Sequence, residues 1–552
     1  MKQSFNKFIE DSVISHWDLD ALTDYKGATL QYKDVARKIE KLHIFFEEVG
    51  LKEGEKIAVC GRNSSHWAIT FLATLTYGAV IVPILHEFKA DNVHNIVNHS
   101  DAKLLFVGDQ VWENLNENAM PLLDGVFLMN DFCLLFSRDK KLTYAREHLN
   151  ELFGKKYPKN FRKLHVNYHK DSPEELAVIN YTSGTTSYSK GVMLPYRSLW
   201  SNIEYGTSGL HLKAGDKFVS MLPMAHMYGL AYEFLCEFTV GCHIYFLTRM
   251  PSPKIIFQAF SEIKPNLVIA VPLIIEKIIK KNILPKLQTP TMKFLLKLPI
   301  INDKIKASVR EKMMNAFGGN FDQVLIGGAS FNHEVEKFLK SINFPYAIGY
   351  GMTECGPIIC YEYWSDFKMG SCGKAARRME VKIESPDPEK VVGEILCKGA
   401  NVMLGYYKNE EATNEVFDKE GWLHTGDLGL MDKEGNVFIK GRSKNLLLSS
   451  AGQNIYPEEV EEKLNNMPYV SESIVVQQNE RLVGLVYPDS DDAFAHGLNN
   501  RDVETIMEEN RVLLNQELPA YSKVSKIKIY PEEFEKTPKK SIKRYLYMEA
   551  KG

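Results

Sequence analysis

The chain has 552 residues, 45% of them hydrophobic and 25% charged, with a formal net charge of −3. This is the composition of a globular protein with two or more domains, because the chain is too long for one ordinary core. A nucleic-acid binder held by general electrostatics would need a basic face, so the charge balance argues against that class.

The lack of a signal peptide and the scattered cysteines predict a cytoplasmic protein. The amino terminus lacks the apolar segment of a signal peptide, and no apolar run approaches the roughly 20 residues that span a bilayer. The eight cysteines include no Cys-x-x-Cys pair, and no Cys/His cluster has zinc spacing. Scattered thiols are typical of small core residues in a reducing compartment.

The first third of the chain alternates apolar strands with amphipathic helices. "EKIAVCG" at 55–61 predicts a buried strand, "SSHWAITFLATLTYGA" at 64–79 a helix with a serine cap, and "VIVPI" at 80–84 a second strand. "LAVINY" at 176–181 is a further strand of this type. The alternation predicts a doubly wound α/β architecture.

The predicted secondary-structure pattern changes in the later segments. "NLVIAVP" and "DQVLIGGAS" predict strands followed by loops, and after about residue 370 short antiparallel strands are expected. From about residue 446 the pattern becomes α+β, with a helix near 501–517. We therefore predict a large domain, residues 1–442, made of doubly wound α/β subdomains and a small β-rich subdomain. A small mobile α+β domain, residues 443–552, follows it.

The stretch "NYTSGTTSYSKGVMLP" at 180–195 begins at the end of the "LAVINY" strand. Its backbone N–H groups, hydroxyls and lysine suit phosphate oxygens, and ligands collect at the carboxyl ends of strands in open α/β sheets. It is not a Walker A loop, because that spacing does not align. A Ser/Thr-rich surface turn is the alternative. The residues concerned are Thr182, Ser183, Gly184, Thr185, Thr186 and Lys190.

Three further segments hold polar residues at turns. "IGYGMTECGP" at 348–357 contains Tyr350, Gly351, Thr353 and Glu354. "GWLHTGDLG" at 421–429 places Asp427 in a Gly-flanked turn, and "IKGRSKN" at 439–445 supplies Arg442 before "GQNIYPEEVE".

These segments, in this order, resemble the superfamily of adenylate-forming enzymes, which includes acyl-CoA synthetases, luciferases and adenylation domains of peptide synthetases. The resemblance runs from about residue 28 to about residue 536, and four or more motifs in order are very specific. "YGMTE", "IKGRSKN" and "GQNIYPEEVEE" look most like bacterial long-chain fatty acid–CoA ligases. The long-chain assignment depends on this resemblance, since the apolar residues of a tunnel would suit any core.

The resemblance implies an enzyme that activates a fatty acid with ATP and Mg²⁺. An acyl-adenylate and pyrophosphate form first, and coenzyme A then takes the acyl group. An acyl carrier protein is the alternative acceptor, and a homologue that binds nucleotide or lipid without turnover is the alternative from another class. Two unit charges ~4 Å apart interact by about 4 kcal/mol at an effective dielectric of 20, so the site needs positive charge.

The resemblance also implies roles for the phosphate-binding and metal-binding residues. Thr182 to Thr186 would cradle phosphates, with Lys190 closing the loop. Thr353 would contact a phosphate, and Glu354 would hold Mg²⁺ together with Thr182.

The remaining roles concern the nucleoside and the acid. Tyr350 would stack on adenine, with Gly351 in the same motif, and Asp427 and Arg442 would bind the ribose. Gly328 and Ala329, within "GGAS", would let the backbone approach adenine and the acyl carbonyl. His226, in "LPMAHMYGL", would lie beside the acyl pocket as a gate or orienting residue.

Each of three side chains also has a structural interpretation. Tyr350 could be a core tyrosine, and Arg442 could form a surface salt bridge worth ~0–1 kcal/mol. His226, judged by spacing alone, is better explained as a satisfied core histidine.

The carboxyl-terminal motif departs from the superfamily pattern. In "EKTPKKSIKRYLY" the position of the lysine that enters the site during adenylation is occupied by Ser541. A one-residue slip would bring Lys540 into that role, and a solvated basic tail is the alternative. Ser187, Ser189 and Asn445 also differ from the usual residues, and we expect the hinge of the terminal domain between Arg442 and Asn445.

The segment from Lys277 to Lys312 contains ten Lys/Arg residues against two acidic ones. A solvated helix face is the simpler explanation. Contact with an anionic membrane surface, on its cytoplasmic side, or with the phosphates of coenzyme A is the alternative.

Overall fold

The computed structural model describes residues 4–182, 190–248, 252–287, 289–449, 452–479, 481–536 and 542–548. Strands occur throughout these ranges and form seven sheets. In chain order they are β1 (Asp20–Asp24), β2 (Thr29–Gln31), β3 (Lys56–Cys60), β4 (Val80–Ile84), β5 (Ala102–Val107), β6 (Gly125–Leu128), β7 (Leu134–Ser137), β8 (Leu176–Thr182), β9 (Lys190–Pro195), β10 (Lys217–Ser220), β11 (His243–Phe246), β12 (Val268–Ala270), β13 (Val324–Ile326), β14 (Tyr346–Ile348), β15 (Tyr350–Gly351), β16 (Ile358–Tyr361), β17 (Lys374–Ala375), β18 (Met379–Glu384), β19 (Gly393–Gly399), β20 (Gly405–Tyr406), β21 (Leu423–Met431), β22 (Val437–Arg442), β23 (Leu447–Leu448), β24 (Asn454–Ile455), β25 (Val470–Gln478), β26 (Arg481–Pro488) and β27 (Val524–Ile529).

Helices alternate with these strands over most of the chain. They are α1 (Phe5–Ser15), α2 (Tyr32–Val49), α3 (Ser65–Tyr77), α4 (Ala90–His99), α5 (Asp109–Trp112), α6 (Lys140–Glu147), α7 (Leu149–Lys156), α8 (Tyr196–Gly209), α9 (Met227–Leu230), α10 (Cys236–Val240), α11 (Pro253–Ile263), α12 (Pro272–Ile278), α13 (Leu284–Leu287), α14 (Pro290–Leu295), α15 (Pro299–Ala316), α16 (His333–Ser341), α17 (Glu410–Val416), α18 (Pro457–Leu464), α19 (Ser490–Ala495) and α20 (Asn500–Glu517). A π-helical turn, Ala231–Leu235, joins α9 to α10.

The largest sheet has the order β20-β9-β8-β4-β3-β5-β6-β7. Its central strands β8, β4, β3, β5 and β6 are parallel, and β9 and β7 are antiparallel to their neighbours. Since β4 and β5 lie on opposite sides of β3, the chain winds in both directions from that strand. The sheet is therefore doubly wound, as the alternating pattern predicts.

Local sequence explains the first strand–helix–strand unit. The Ser64 hydroxyl accepts from Trp67 N–H at 3.1 Å and caps α3. Gly78 ends that helix with a φ of 91°, a left-handed conformation that glycine adopts without strain. All residues of β4 are buried, because helices cover both faces of the parallel sheet.

The crevice usually used by ligands in doubly wound sheets is filled here. It would lie between the carboxyl ends of β3 and β5, where the winding direction changes. A Cβ built on Gly61 would lie 3.3 Å from Gly108 N and 1.9 Å from Cε of Met129. The Met129 side chain thus occupies this position, and the polar residues of interest lie at other strand ends.

A second parallel sheet, β12-β13-β14, follows in the chain. The expectation that "NLVIAVP" is followed by a loop is wrong, because α12 begins at Pro272, two residues after β12. Proline at the first helical position has a suitable fixed φ and loses no hydrogen bond, so a helix begins there readily. The predicted loop after β13 is present.

The last part of the chain combines β25-β26-β27 with α18 and α20, around a separate cluster of buried apolar residues between Ile455 and Val524. The antiparallel sheet β18-β19-β21-β22 precedes it. The predicted fold class is confirmed. The boundary between residues 442 and 443 stays a prediction. No helix in the described ranges combines the length and apolar character needed to cross a bilayer.

Two buried carboxyl groups lie on the helical segment from α9 to α10. Glu233 and Glu237 both have no exposed surface. Neither carboxyl oxygen of Glu237 has a hydrogen-bond partner among the described residues. Burial raises the pKa of Glu237 to about 8, because the charged form loses its hydration.

Replacing Glu237 with glutamine should remove a pH-dependent stability loss. The unfolded chain releases this proton near pH 4.3, whereas the native protein holds it to about pH 8, so stability falls with rising pH between these values. The slope is at most about 1.4 kcal/mol per pH unit. The advantage of Glu237→Gln over wild type should therefore be small at pH 4.5 and grow up to pH 8, as thermal midpoints can measure. The exposed Glu113→Gln is the control, and equal pH slopes for wild type and Glu237→Gln would contradict the assignment.

Candidate functional site

The strand that ends in the Ser/Thr-rich stretch forms a hairpin with the next strand. Thr182 is the last residue of β8 and Lys190 the first of β9, and the two are paired directly across the hairpin. Their backbone positions thus mark the base of the predicted phosphate loop. Ser183, Gly184, Thr185 and Thr186 lie outside the described residues, so the cradle that they would form stays a prediction.

A tyrosine lies between the lysine of this hairpin and the glutamate of the "YGMTE" motif. The ammonium nitrogen of Lys190 is 4.7 Å from the ring centroid of Tyr406, within the range of cation–π attraction. The Tyr406 hydroxyl donates to Oε1 of Glu354 at 2.9 Å. Two predicted site residues that are 164 positions apart in the sequence are therefore brought together by a third residue.

Backbone hydrogen bonds explain why Tyr406 occupies this place. Strand β20 pairs with β9, placing Tyr406 opposite Val192. Met403 N–H donates to the Glu354 carbonyl at 2.8 Å, and Tyr407 N–H donates to the Gly191 carbonyl at 2.7 Å. Residues 403–407 thus connect the two motifs. Burial first, and then the Glu354 charge, raise the pKa of the Tyr406 hydroxyl, so it remains a donor.

The sequence interpretation missed Tyr406. The signal available was the segment "MLGYYKNEEAT" at 403–413, with a Gly before two aromatic residues. Composition alone does not distinguish this segment from an ordinary strand and turn. Its importance comes from pairing with β9, which is separated from it by more than 200 residues.

A second group joins Tyr350, Asp427 and Arg442. The Tyr350 hydroxyl donates to Oδ2 of Asp427 at 2.8 Å, and Nε of Arg442 lies 3.0 Å from Oδ1. Asp427 and Arg442 are paired residues of β21 and β22. Burial raises the pKa of Asp427, while Arg442 and Tyr350 oppose this effect. The Arg442 side chain is 68% exposed, so the ion pair by itself contributes little stability.

The predicted turn at Asp427 is wrong. Asp427 lies inside β21 and pairs with Arg442 of β22. The ladder between β21 and β19 shifts register beside Gly426, so the strand continues there with an irregularity. Gly426 has a φ of 72° and its N–H donates to Oε1 of Glu394 at 2.9 Å. The Thr425 hydroxyl donates to the Ile395 carbonyl at 2.7 Å. Glu394, which the sequence interpretation also missed, helps to fix the strand segment that contains Asp427.

The "YGMTE" segment lies at the carboxyl edge of the second parallel sheet. Strands β13 and β14 are parallel neighbours, and the residues that follow them therefore emerge at the same edge. Gly351 packs closely, since a Cβ there would lie 2.2 Å from the Pro357 carbonyl oxygen. Thr353 is buried, and Glu354 is half-buried.

Two further predicted residues follow β13 at the same edge. Gly328 has a φ of 89°, a left-handed conformation that favours glycine. It and Ala329 are exposed. Their backbone is therefore open to a ligand approaching this edge.

His226 lies directly before α9 and is half-buried. Two residues on, the Tyr228 hydroxyl donates to the Leu325 carbonyl at 3.0 Å. The Tyr228 ring also packs against Gly327, where a Cβ would lie 3.1 Å from Cζ. The segment that contains His226 is therefore attached to the edge that presents Gly328 and Ala329.

Lys540 and Ser541 lie outside the described residues, so the proposed role of Lys540 in adenylation stays a prediction. The adjoining residues are ordered by contacts: Lys536 and Ile542 form a β-bridge, and a guanidinium nitrogen of Arg544 lies 2.6 Å from Glu461. In the predicted hinge, the Asn445 amide donates to Oε1 of Glu458 at 2.6 Å.

Comparison with known proteins gives the family. The family described as "AMP-binding enzyme" matches residues 9–407. The chain belongs to this family. The resemblance to adenylate-forming enzymes is thereby confirmed.

Relatives of this chain differ in the acid and the acceptor that their names give. A chloroplastic long-chain-fatty-acid–[acyl-carrier-protein] ligase of Arabidopsis thaliana is 27% identical, over 91% of this chain and 77% of its own length. Long-chain-fatty-acid–CoA ligase 5 of Rattus norvegicus is also 27% identical, over 92% of this chain and 80% of its own. A 4-coumarate–CoA ligase of Humulus lupulus is 27% identical, over 94% and 88% respectively.

Among solved structures, ATP-bound MatB from Rhodopseudomonas palustris superposes with a TM-score of 0.76 at 20% identity. The match covers 99% of this chain and 98% of that one. This likeness establishes the fold.

Removing the Tyr406 hydroxyl should weaken binding of magnesium nucleotide. Tyr406→Phe keeps the ring beside Lys190 but removes the bond to the Glu354 carboxylate. Hydrogen bonds to charged groups contribute about 1.5–3 kcal/mol, so we expect a loss of roughly tenfold or more in Mg·ATP affinity, measured by calorimetry. Tyr407→Phe is the matched control, because the Tyr407 hydroxyl donates to Asp101 instead. Equal affinities for Tyr406→Phe and wild type would show that the bond plays no part.

Proposed function

We propose that this protein is an ATP-dependent acid–thiol ligase that converts a fatty acid to its acyl-CoA through an acyl-adenylate. The observation that supports this best is the Lys190–Tyr406–Glu354 arrangement, in a chain of the AMP-binding enzyme family. The Tyr350–Asp427–Arg442 group adds polar partners suited to a nucleoside.

In the first half-reaction a carboxylate oxygen attacks the α-phosphorus of ATP. The new O–P bond forms as the bond from the α-phosphorus to the bridging oxygen breaks, and pyrophosphate leaves. The carboxylate is ionised near neutral pH and needs no general base. Lys190 and the N–H groups of the predicted loop from Thr182 would reduce the repulsion between the two anions.

The nucleoside would be held by the second group. Asp427 would accept from ribose hydroxyls, and Arg442 would supply a further donor beside it. Tyr350 would offer its ring to adenine while its hydroxyl stays bound to Asp427, an arrangement compatible with the observed hydrogen bond. The exposed backbone at Gly328 and Ala329 would accept the adenine edge.

The residues near Glu354 fit a magnesium ion by their chemistry. Glu354 offers a carboxylate and Thr182 a hydroxyl, both hard oxygen donors, and only Oε1 of Glu354 is engaged by Tyr406. When bound, Mg²⁺ would neutralise charge on the phosphates. Glu354 and Thr182 would hold it there.

In the second half-reaction the thiol of coenzyme A attacks the acyl carbonyl. A C–S bond forms, the C–O bond to the phosphate breaks, AMP leaves, and the thiol proton passes to solvent. His226 would orient the acyl group at the edge near Gly328. The predicted hinge between Arg442 and Asn445 would allow the terminal domain to change position between the two reactions.

A long-chain acid is our preferred substrate, and coenzyme A our preferred acceptor. The motif resemblance and the rat relative support both preferences, and the residues packed around His226, including the buried Met224 and Met227, are apolar. The plant relatives favour alternatives: an acyl carrier protein as acceptor, or an aromatic acid as substrate. We expect the protein to act in the cytoplasm.

Pyrophosphate exchange with a panel of carboxylic acids tests this function. With ATP and Mg²⁺, exchange should be fastest for acids of palmitate length, and adding coenzyme A should yield a thioester. The Glu354→Ala variant should lose at least 99% of exchange while keeping the wild-type thermal midpoint, because it removes the metal-binding carboxylate. Fastest exchange with 4-coumarate would replace the long-chain assignment. If a thioester forms only with an acyl carrier protein, that protein replaces coenzyme A as the assigned acceptor. No exchange with any acid would leave only the non-catalytic alternative.

Peripheral membrane contact is a separate proposal for the segment between Lys277 and Lys312. Phe294 is 65% exposed, and the neighbouring Leu298 and Lys297 are exposed as well. Apolar and cationic side chains together suit an anionic bilayer surface. The protein should therefore sediment with vesicles rich in anionic lipid at low salt, and less at high salt. A Phe294→Ser/Lys297→Glu double variant should remain in the supernatant. Wild-type protein absent from the pellet at both salt concentrations would contradict the proposal.

A further inference from the structure

The chain before His226 is held by side chains from three separate elements. Residues 221–226, here called the His226 segment, run from the end of β10 to the start of α9. Asn63, Asn180 and Glu233 all form hydrogen bonds to its backbone, and their exposed fractions are 8%, 2% and 0%. Buried backbone without secondary structure needs such partners.

Glu233 lies in the π-helical turn beyond His226 and reaches back to the start of the segment. Its Oε2 accepts from Met221 N–H at 2.8 Å and from Leu222 N–H at 2.7 Å. A fully buried carboxyl group is costly to solvate, and two backbone donors offset part of that cost. π-helical turns occur often at functional sites. Here the π-helical turn, Ala231–Leu235, contains Glu233 itself.

Asn63 uses both ends of its amide. Its Nδ2 donates to the Leu222 carbonyl at 2.7 Å and to the Ser220 hydroxyl at 3.1 Å, and its Oδ1 accepts from Met224 N–H at 2.9 Å. Asn63 follows β3, so this contact connects the segment to the centre of the largest sheet.

Asn180 connects the segment to the strand of the predicted phosphate loop. It lies in β8, two residues before Thr182, and its Nδ2 donates to the Ala225 carbonyl at 2.9 Å. Residues two apart in a strand project from the same face. The carbonyl directly before His226 is therefore attached to the face of β8 from which Thr182 also projects.

We propose that Asn63, Asn180 and Glu233 are positioning residues that fix His226 relative to the end of β8, and so set where the acid's carboxylate meets the phosphates. The proposal depends on the proposed function, in which His226 orients the acyl group. Contacts from three elements restrict the segment in different directions, so loss of one should displace His226 without unfolding the surrounding sheets. The consequence should appear in the use of the acid and not in nucleotide binding.

The decisive comparison is between Glu233→Leu and Glu233→Gln. Leucine removes the acceptor, whereas glutamine retains a side-chain oxygen for the two N–H groups. We expect Glu233→Leu to raise the KM for the acid about tenfold or more and to leave the KM for ATP within twofold. Glu233→Gln should return the KM for the acid to within threefold of wild type. Pyrophosphate release measures both constants.

Two controls separate positioning from general packing. Glu237→Leu alters an equally buried glutamate one turn further along, which makes no bond to the segment, and should leave the KM for the acid unchanged. In a His226→Ala background, Glu233→Leu should have much less effect than in wild type, because both changes act through one residue. If Glu233→Leu fails to fold, Asn180→Val makes the same test from β8.

Three outcomes would overturn the inference while the proposed function stands. These are parallel rises in both KM values, failure of a folded Glu233→Gln to restore the KM for the acid, and full additivity with His226→Ala. Failure of the proposed function is seen separately, in the wild-type protein alone, as an absence of acid-dependent pyrophosphate release. In that case this inference falls with it.

Discussion

The arrangement of this site depends on keeping a cation and a carboxylate close together without forming an ion pair. Lys190 and Glu354 would neutralise each other in direct contact, and neither would then be available to phosphate or metal. Tyr406 lies between them, with its ring near the ammonium group and its hydroxyl bonded to the carboxylate. An aromatic side chain with a polar tip can satisfy both neighbours at once. The pairing of β20 with β9 and the backbone bond from Met403 to Glu354 maintain this arrangement.

The position of the site depends on which strand ends in the two parallel sheets are free of packed side chains. In the largest sheet, Met129 fills the space between Gly61 and Gly108, where a doubly wound fold would ordinarily accept a ligand. The polar residues instead gather at the carboxyl end of β8 and at the edge of the β12-β13-β14 sheet. The His226 segment contacts β8 through Asn180, and Tyr228, two residues beyond the segment, contacts β13. Residues 221–228 thus link the two places where the predicted phosphate-binding and acid-binding residues lie.

Sequence patterns predicted the features that depend on neighbouring residues. The cap at Ser64, the buried run of β4 and the helix near 501–517 follow from local periodicity and capping, and they are present. Asp427 was misplaced because its flanking glycines indicate a turn, whereas pairing with Arg442 of β22 keeps it in a strand. The local sequence around Tyr406 and Asn180 does not distinguish either residue from one in an ordinary strand. Their roles arise from contacts across more than 40 residues, which periodicity does not report.

Glu233 and Glu237 show how equal burial can have different consequences. They lie four residues apart on one helical segment and are both fully enclosed, so desolvation raises the pKa of each. Two backbone N–H groups oppose this effect at Glu233, whereas no neighbouring segment in the described ranges donates to Glu237. The carboxyl of Glu233 therefore supports the shape of another part of the chain, and that of Glu237 only reduces stability as pH rises. Burial by itself identifies neither role, because the difference lies in which backbone groups each carboxyl faces.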